Sequence, residues 1–223
     1  MTAAPSLLVK ICGLRTAETM EAALAAGADM IGLVSFQPSP RHVETDAAVA
    51  LADQARGRAE IVLLTVDADD AALADLVAAI RPDWLQLHGR ETPERVAAVK
   101  RRFGLKVMKA LGVREAADLA AAADFEAADR LLFDAKPPKD ATRPGGNGLS
   151  FDWQLLAKLD PRLRFMLSGG LDPSTVAEAV RIARPLGVDV SSGVERAPGE
   201  KDPALIHAFV RAARAAETLG ASA

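Results

Sequence analysis

The chain has 223 residues, half of them hydrophobic and 26% charged, with 27 Lys and Arg against 30 Asp and Glu for a formal net charge of −3. That apolar fraction excludes a disordered chain, the slightly acidic balance excludes the basic stripe of a nucleic-acid-binding surface, and no stretch approaches the roughly 18 uncharged apolar residues of a membrane span. One cysteine, Cys12, excludes an internal disulfide and a multi-cysteine zinc cluster; with no basic residue ahead of the short apolar run at Leu7-Leu8, a cytoplasmic protein without a signal peptide is expected.

One pattern repeats along the chain. A short run rich in Val, Ile and Leu is followed by a turn and then by an Ala-rich segment of helical period. The apolar runs begin near Leu8, Met30, Ile61, Trp84, Lys106, Leu131, Phe165 and Val188, a spacing that suits one βα unit each. Runs such as Ile61-Val62-Leu63-Leu64 lack polar alternation, as strands of a parallel sheet buried on both faces do. The segments between read as helices. Thr92-Pro93, Asp172-Pro173 and Asp202-Pro203 each place a capping oxygen before a proline, which at the first helical position loses no hydrogen bond. Leu205, Ile206, Phe209, Val210 and Ala213 form one apolar stripe. No polar linker divides the chain, and residues 136–148, with three prolines and three glycines, read as one long loop after the sixth run. A flavodoxin-like open sheet needs about five strands. Eight units predict an α/β fold, a (β/α)8 TIM barrel, as a single domain over residues 1–223.

In such a barrel chemistry sits at the C-terminal ends of the strands. The polar ends, in chain order, are Lys10-Ile11-Cys12-Gly13, the segment from Phe36 to Arg41, Asp67, Gln86-Leu87-His88-Gly89, Lys109, Asp134, Ser168-Gly169-Gly170 and Ser191-Ser192-Gly193. Cys12 is either a small buried hydrophobe or, beside Lys10, a thiol that ionises and acts as base or nucleophile. Asp134 follows Leu131-Leu132-Phe133 and is either a helix cap or ion-pair partner of Lys136, or a desolvated carboxyl suited to general acid work. The glycine turns after the seventh and eighth runs stand where barrels bind phosphate through freed backbone amides and a helix N-terminus. Arg41, stiffened by Pro40, suits a bidentate grip on a carboxylate, with Lys10 adding positive charge at the mouth. His88 either lines the pocket or bonds locally, whereas His42 and His207 read as loop and helix-surface residues. No His, Asp and Glu set has metal-ligand spacing, so no metal is expected.

Taken together these motifs resemble the phosphoribosylanthranilate isomerase family. The resemblance rests on Lys10-Ile11-Cys12-Gly13-Leu14, Ser39-Pro40-Arg41, Gln86-Leu87-His88-Gly89, Leu132-Phe133-Asp134, Gly145-Gly146-Asn147-Gly148 with Phe151-Asp152-Trp153, Leu167-Ser168-Gly169-Gly170-Leu171 and Asp189-Val190-Ser191-Ser192-Gly193-Val194-Glu195. It spans Val9 to about Asp202. Asn147 stands where the family usually carries Thr, and Arg15 where a small polar residue is commoner. The resemblance implies a cofactor-independent Amadori rearrangement of N-(5-phosphoribosyl)anthranilate in tryptophan biosynthesis, with Cys12 as general base and Asp134 as general acid. It implies substrate contacts from Lys10, Arg41, Gln86, His88, Gly169, Gly170, Ser192 and Gly193. The implied partner is a small phosphosugar, with no nucleic acid and no membrane, bound by a monomer or homodimer. Other phosphosugar barrels fit less well. A histidine-pathway Amadori isomerase is expected to carry a carboxylate where Cys12 stands, an indole-glycerol-phosphate synthase a catalytic lysine set and a longer N-terminal extension, and a pentose-phosphate epimerase a metal site. A silent phosphosugar-binding subunit would have lost the acid or the base.

Overall fold

The structure is a computed structural model. It describes residues 7–136, 145, 148–160 and 162–220, without the side chains of 218–220; most of the 136–148 loop, with Asn147, therefore lies outside the described residues. Eight parallel strands close into a barrel in sequence order: β1 (Leu8–Cys12), β2 (Met30–Ser35), β3 (Glu60–Thr65), β4 (Trp84–Leu87), β5 (Lys106–Val113), β6 (Arg130–Ala135), β7 (Phe165–Leu167) and β8 (Gly187–Val190). Closure comes from β1 lying beside β8, with Leu8 opposite Gly187 and Lys10 opposite Asp189. Every strand begins within one residue of an expected apolar run. Lys109 is not a strand end, because β5 runs on to Val113.

Strand alternation divides the apolar residues between two cores. On β1, Val9 and Ile11 face outward into the layer shared with the helices. Inside, a lower layer holds Met30, Val62, Trp84, Met108, Ala110, Leu132 and Met166. Cys12, Val34 and Leu64 form a separate layer near the mouth. Trp84 is 2% exposed and has Lys106 and Arg130 stacked on its ring, 5.0 and 4.5 Å from the centroid.

Four crossovers of the first half are regular helices: α1 (Ala17–Ala26), α2 (Thr45–Ala55), α3 (Asp70–Ile80) and α4 (Pro93–Phe103). Thr92 caps α4 by accepting from the Arg95 amide, with Pro93 at the first helical position. The next two crossovers differ from the helices expected of them, being 3₁₀ segments at Ala116–Phe125 and Trp153–Lys158. None of the first segment's residues is fully buried; Leu119, Ala122 and Phe125 pack half-buried against the core, a spacing of three that a 3₁₀ segment places on one face. α5 (Val176–Ala183) starts later than its proline implies. Asp172 still accepts from the Ser174 and Thr175 amides, but it caps a turn, and the helix begins beyond it. After β8 a 3₁₀ turn (Ser192–Val194) leads into a hairpin, β9 (Glu195–Ala197) and β10 (Glu200–Lys201). The final helix, α6 (Pro203–Gly220), starts at Asp202, which accepts from the Ala204 amide at 2.7 Å. Its stripe of Ile206, Phe209, Val210 and Ala213 is buried. Among the described residues no helix is long and apolar enough to cross a membrane.

Candidate active site

An open cavity lies at the C-terminal mouth, lined among others by Cys12, Arg41, His88, Asp134, Gly169, Gly170 and Ser192. Residues from β1, β4, β6, β7 and β8 thus converge on one space, although up to 180 residues separate them in sequence.

Cys12 is the last residue of β1 and is 3% exposed. Its neighbour across the pair is Gly32, where a Cβ would lie 2.7 Å from the sulfur; only glycine leaves the thiol its place. Burial pushes the thiol above its ordinary range, with the Asp189 carboxylate adding to the rise, while the ammonium groups of Lys10 and Lys201 oppose it. Lys10, two residues earlier on the same inward face, is wholly buried and does not line the cavity. Its Nζ donates to Asp189 Oδ1 at 2.9 Å. Burial alone would lower this lysine, but Asp189 and the Cys12 sulfur outweigh it and hold the charge in place. Lys10 therefore does not supply the positive charge expected of it at the open mouth, and lies beneath the floor as half of an ion pair.

Asp134, on β6, is 6% exposed. Its Oδ1 accepts from the Ala135 amide at 2.9 Å, and its Oδ2 lies 3.4 Å from His88 Nε2. Lys136 instead pairs with Asp118, so the ion-pair alternative for Asp134 is not the arrangement found. On β4, Gln86 is fully buried below the lining, and its Nε2 lies 2.9 Å from His88 Nδ1. This contact fixes the plane of the imidazole and turns its Nε2 edge toward Asp134. Gln86 thus reaches the cavity only through His88.

Arg41, in the loop after β2, is 4% exposed. Its side chain passes over Gly13, where a Cβ would lie 2.8 Å from Arg41 Cδ, which explains a glycine directly after the thiol. The guanidinium is held by Glu195, Nε to Oε1 at 2.7 Å and an Nη to Oε2 at 2.8 Å. Lys201 Nζ reaches the same Oε1 at 2.7 Å and the Ser191 carbonyl at 2.8 Å, and the Ser191 hydroxyl donates to the Cys12 carbonyl at 3.1 Å. Burial would raise Glu195, but Arg41 and Lys201 draw it below the ordinary carboxylate range. Burial lowers Lys201 to about 8 against the pull of Glu195.

Across the cavity, Gly169 and Gly170 turn the chain after β7 with φ of 87° and 67°, and both line the space with Ser168, Ser191 and Ser192. Gly193 lies behind them; a Cβ there would meet the Leu171 carbonyl oxygen at 1.9 Å, so it locks the two turns together. Lys109 and Asp67 are absent from the lining. Lys109 pairs with Glu91 at 2.8 Å behind the β4 loop, and Asp67 accepts from the Arg90 amide. The sequence reading missed Asp189, Glu195 and Lys201 as functional candidates. Asp189 and Glu195 stood inside a quoted motif, and the Pro198-Gly199 pair marks the hairpin that presents Lys201.

The cavity thus brings a thiol and a carboxyl, two groups able to exchange protons, to the lining of one space. The family model described as N-(5'phosphoribosyl)anthranilate (PRA) isomerase matches residues 9–212. The N-(5'-phosphoribosyl)anthranilate isomerase of Rhodopseudomonas palustris (strain BisB5) is 62% identical over 215 residues, covering 96% of this chain and 99% of that protein. Among solved structures, phosphoribosyl anthranilate isomerase from Thermotoga maritima superposes with a TM-score of 0.85 at 32% identity, over 94% of this chain and 99% of that one; the T. maritima enzyme is dimeric. Another, in complex with reduced 1-(o-carboxyphenylamino)-1-deoxyribulose 5-phosphate, gives 0.82 at 30% identity, with the same coverage. The chain belongs to the N-(5'-phosphoribosyl)anthranilate isomerase family.

Proposed function

We propose that Cys12 and Asp134 are the base and the acid of this isomerase, which converts N-(5-phosphoribosyl)anthranilate to 1-(2-carboxyphenylamino)-1-deoxyribulose 5-phosphate in tryptophan biosynthesis. The observation that carries the assignment is that the thiol and the carboxyl line one cavity from β1 and β6. Asp134 gives its proton to the furanose ring oxygen. The C1–O bond breaks as the nitrogen lone pair closes a C1=N iminium. Cys12 as thiolate takes the C2 proton, and the C–H electrons become a C1=C2 bond while the iminium nitrogen recovers its pair. The enolamine then tautomerises, O2 losing a proton and C1 gaining one, to leave the ketone. The iminium makes C2–H acidic enough for a thiolate. His88, held by Gln86, fixes Asp134 Oδ2 in direction.

Two anchors orient the sugar between acid and base, which is where much of the rate of a unimolecular rearrangement originates. Arg41 takes the anthranilate carboxylate. The turns at Gly169, Gly170 and Ser192, locked together by Gly193, take the phosphate through backbone amides. Lys10 acts from below, on the thiol, not on the substrate. The whole chain, 1–223, works as one domain, a reading supported by a family match over residues 9–212. A tryptophan auxotroph lacking the isomerase is expected to grow when supplied with this chain and to fail with the Cys12→Ala or Asp134→Asn variant. Growth with either variant at equal expression removes that residue from its role.

A further inference from the structure

An arginine gripped at two nitrogens by a carboxylate is a poor receptor for a second carboxylate. The pair is neutral from a distance, and its shortest hydrogen bonds are already made. Arg41 and Glu195 form such a pair, both side chains about 5% exposed or less. A third charge changes this balance. Lys201, equally buried, bonds the same Glu195 oxygen that Arg41 Nε does, at 2.7 Å. Among the described residues, two cations and one anion leave the buried cluster one positive charge in excess, at the edge of a cavity that Arg41 lines. The cluster is also rigid. Lys201 is tied to the Ser191 carbonyl and hydroxyl, and the hairpin carrying it packs its tip on the Arg41 loop, Gly199 lying against the Pro40 carbonyl.

We propose that Lys201 is the positioning residue that makes Arg41 a receptor for the substrate carboxylate, by holding Glu195 at the oxygen that Arg41 Nε also bonds and supplying the excess charge that the Arg41–Glu195 pair lacks. The inference rests on the reading that Arg41 grips the anthranilate carboxylate, and adds a residue that never touches substrate. The charged and titratable groups around Lys201 are Glu195 on β9, Arg41 after β2 and Cys12 at the end of β1. The excess charge is switchable: Lys201 loses its proton near pH 8, and above that pH the cluster is neutral.

The probes are the reduced product analogue, 1-(2-carboxyphenylamino)-1-deoxy-pentitol 5-phosphate, and its phenylamino counterpart without the ring carboxylate. Binding is measured by calorimetry, because Lys201 also acts on the Cys12 thiol and turnover would mix the two effects. At neutral pH Lys201→Met is expected to weaken the carboxylated analogue on the order of tenfold and to leave the counterpart nearly unchanged. Lys201→Arg is expected to restore the affinity. In the wild-type protein the preference for the carboxylated analogue is expected to fall as pH rises through about 8, and in Lys201→Arg to persist. If Arg41→Ala retains the wild-type preference, the carboxylate grip and this inference fall together. If Arg41→Ala loses the preference but Lys201→Met keeps it, this inference alone falls. A wild-type preference that is flat through pH 8 overturns it without any variant.

Discussion

The two ends of the barrel solve the same problem in opposite ways. At the N-terminal end the interior is filled with Met30, Trp84, Met108 and Met166, and Lys106 and Arg130 lie on the ring of Trp84. At the C-terminal end the interior carries Lys10 with Asp189, Arg41 with Glu195 and Lys201, and His88 with Asp134. Apolar packing stabilises at about 25 cal/mol per Å² buried. Buried ion pairs contribute little net stability because desolvation offsets their attraction. The lower end is built to hold the molecule together, and the upper end gives up packing energy to place charged groups where a reaction needs them.

The contrast breaks if variants at either end behave like variants at the other. The largest effect is expected at the mouth: Cys12→Ala and Asp134→Asn should each lower kcat by roughly 10²–10⁴, the range for lost acid–base catalysis, with a Tm close to wild type. The assay is loss of substrate fluorescence, and a variant within threefold of wild type would count against the assignment. Below, Trp84→Ala should cost about 3–5 kcal/mol of stability, seen in urea unfolding, with kcat/KM unchanged where the protein remains folded. A collapse of kcat/KM in that folded protein would erase the contrast. Arg41→Ala should raise KM at least about tenfold, as loss of a charged hydrogen-bonded contact does, with a smaller change in kcat. The environment of Cys12 sharpens the comparison further. Burial raises the thiol, so it deprotonates only at more alkaline pH, and alkylation by iodoacetamide should reach half its limiting rate above the roughly 8.5 of a free cysteine. A midpoint at or below that value would mean that Lys10 and Lys201 prevail over burial. The smallest effect is expected from Lys106→Met, which removes a cation from Trp84 and a half-exposed pair with Glu60 for about 1 kcal/mol or less.

Local signals in the sequence mapped the barrel and only part of its site. Each strand is a run of residues such as Ile61, Val62 and Leu63 that must be buried on both faces, and that demand is written into consecutive positions. Thr92 and Asp202 cap helices where their prolines say they do. The 3₁₀ segment at Ala116–Phe125 was less readable: its alanines favour helix, and only packing reveals that its core contacts, at Leu119, Ala122 and Phe125, come every third residue and stay half-buried. Cys12, Asp134, Arg41 and His88 were marked by standing at strand ends, and all line the cavity. Lys10 and Gln86 carried the same mark but lie one layer down, since position along a strand does not give depth at the mouth. Partners were the least legible. Glu195 binds Arg41 across 154 residues, and no local spacing records that bond. Lys201 sits beyond the last barrel strand, on a two-residue strand of a hairpin, where nothing in periodicity distinguishes it from a solvated surface lysine.

The double bond from Arg41 to Glu195 also constrains how this sequence can drift. Replacing Glu195 alone leaves Arg41 and Lys201 without the carboxylate they share, in a medium that solvates charge poorly, a penalty of about 3–5 kcal/mol, so a neutral single step away from Glu195 is closed. Substitutions at these two positions should be inherited as couples, and where Glu195 changes, position 201 should change with it. Among descendants of this chain, joint variation at positions 41, 195 and 201 would then record which anion the mouth was last shaped to receive.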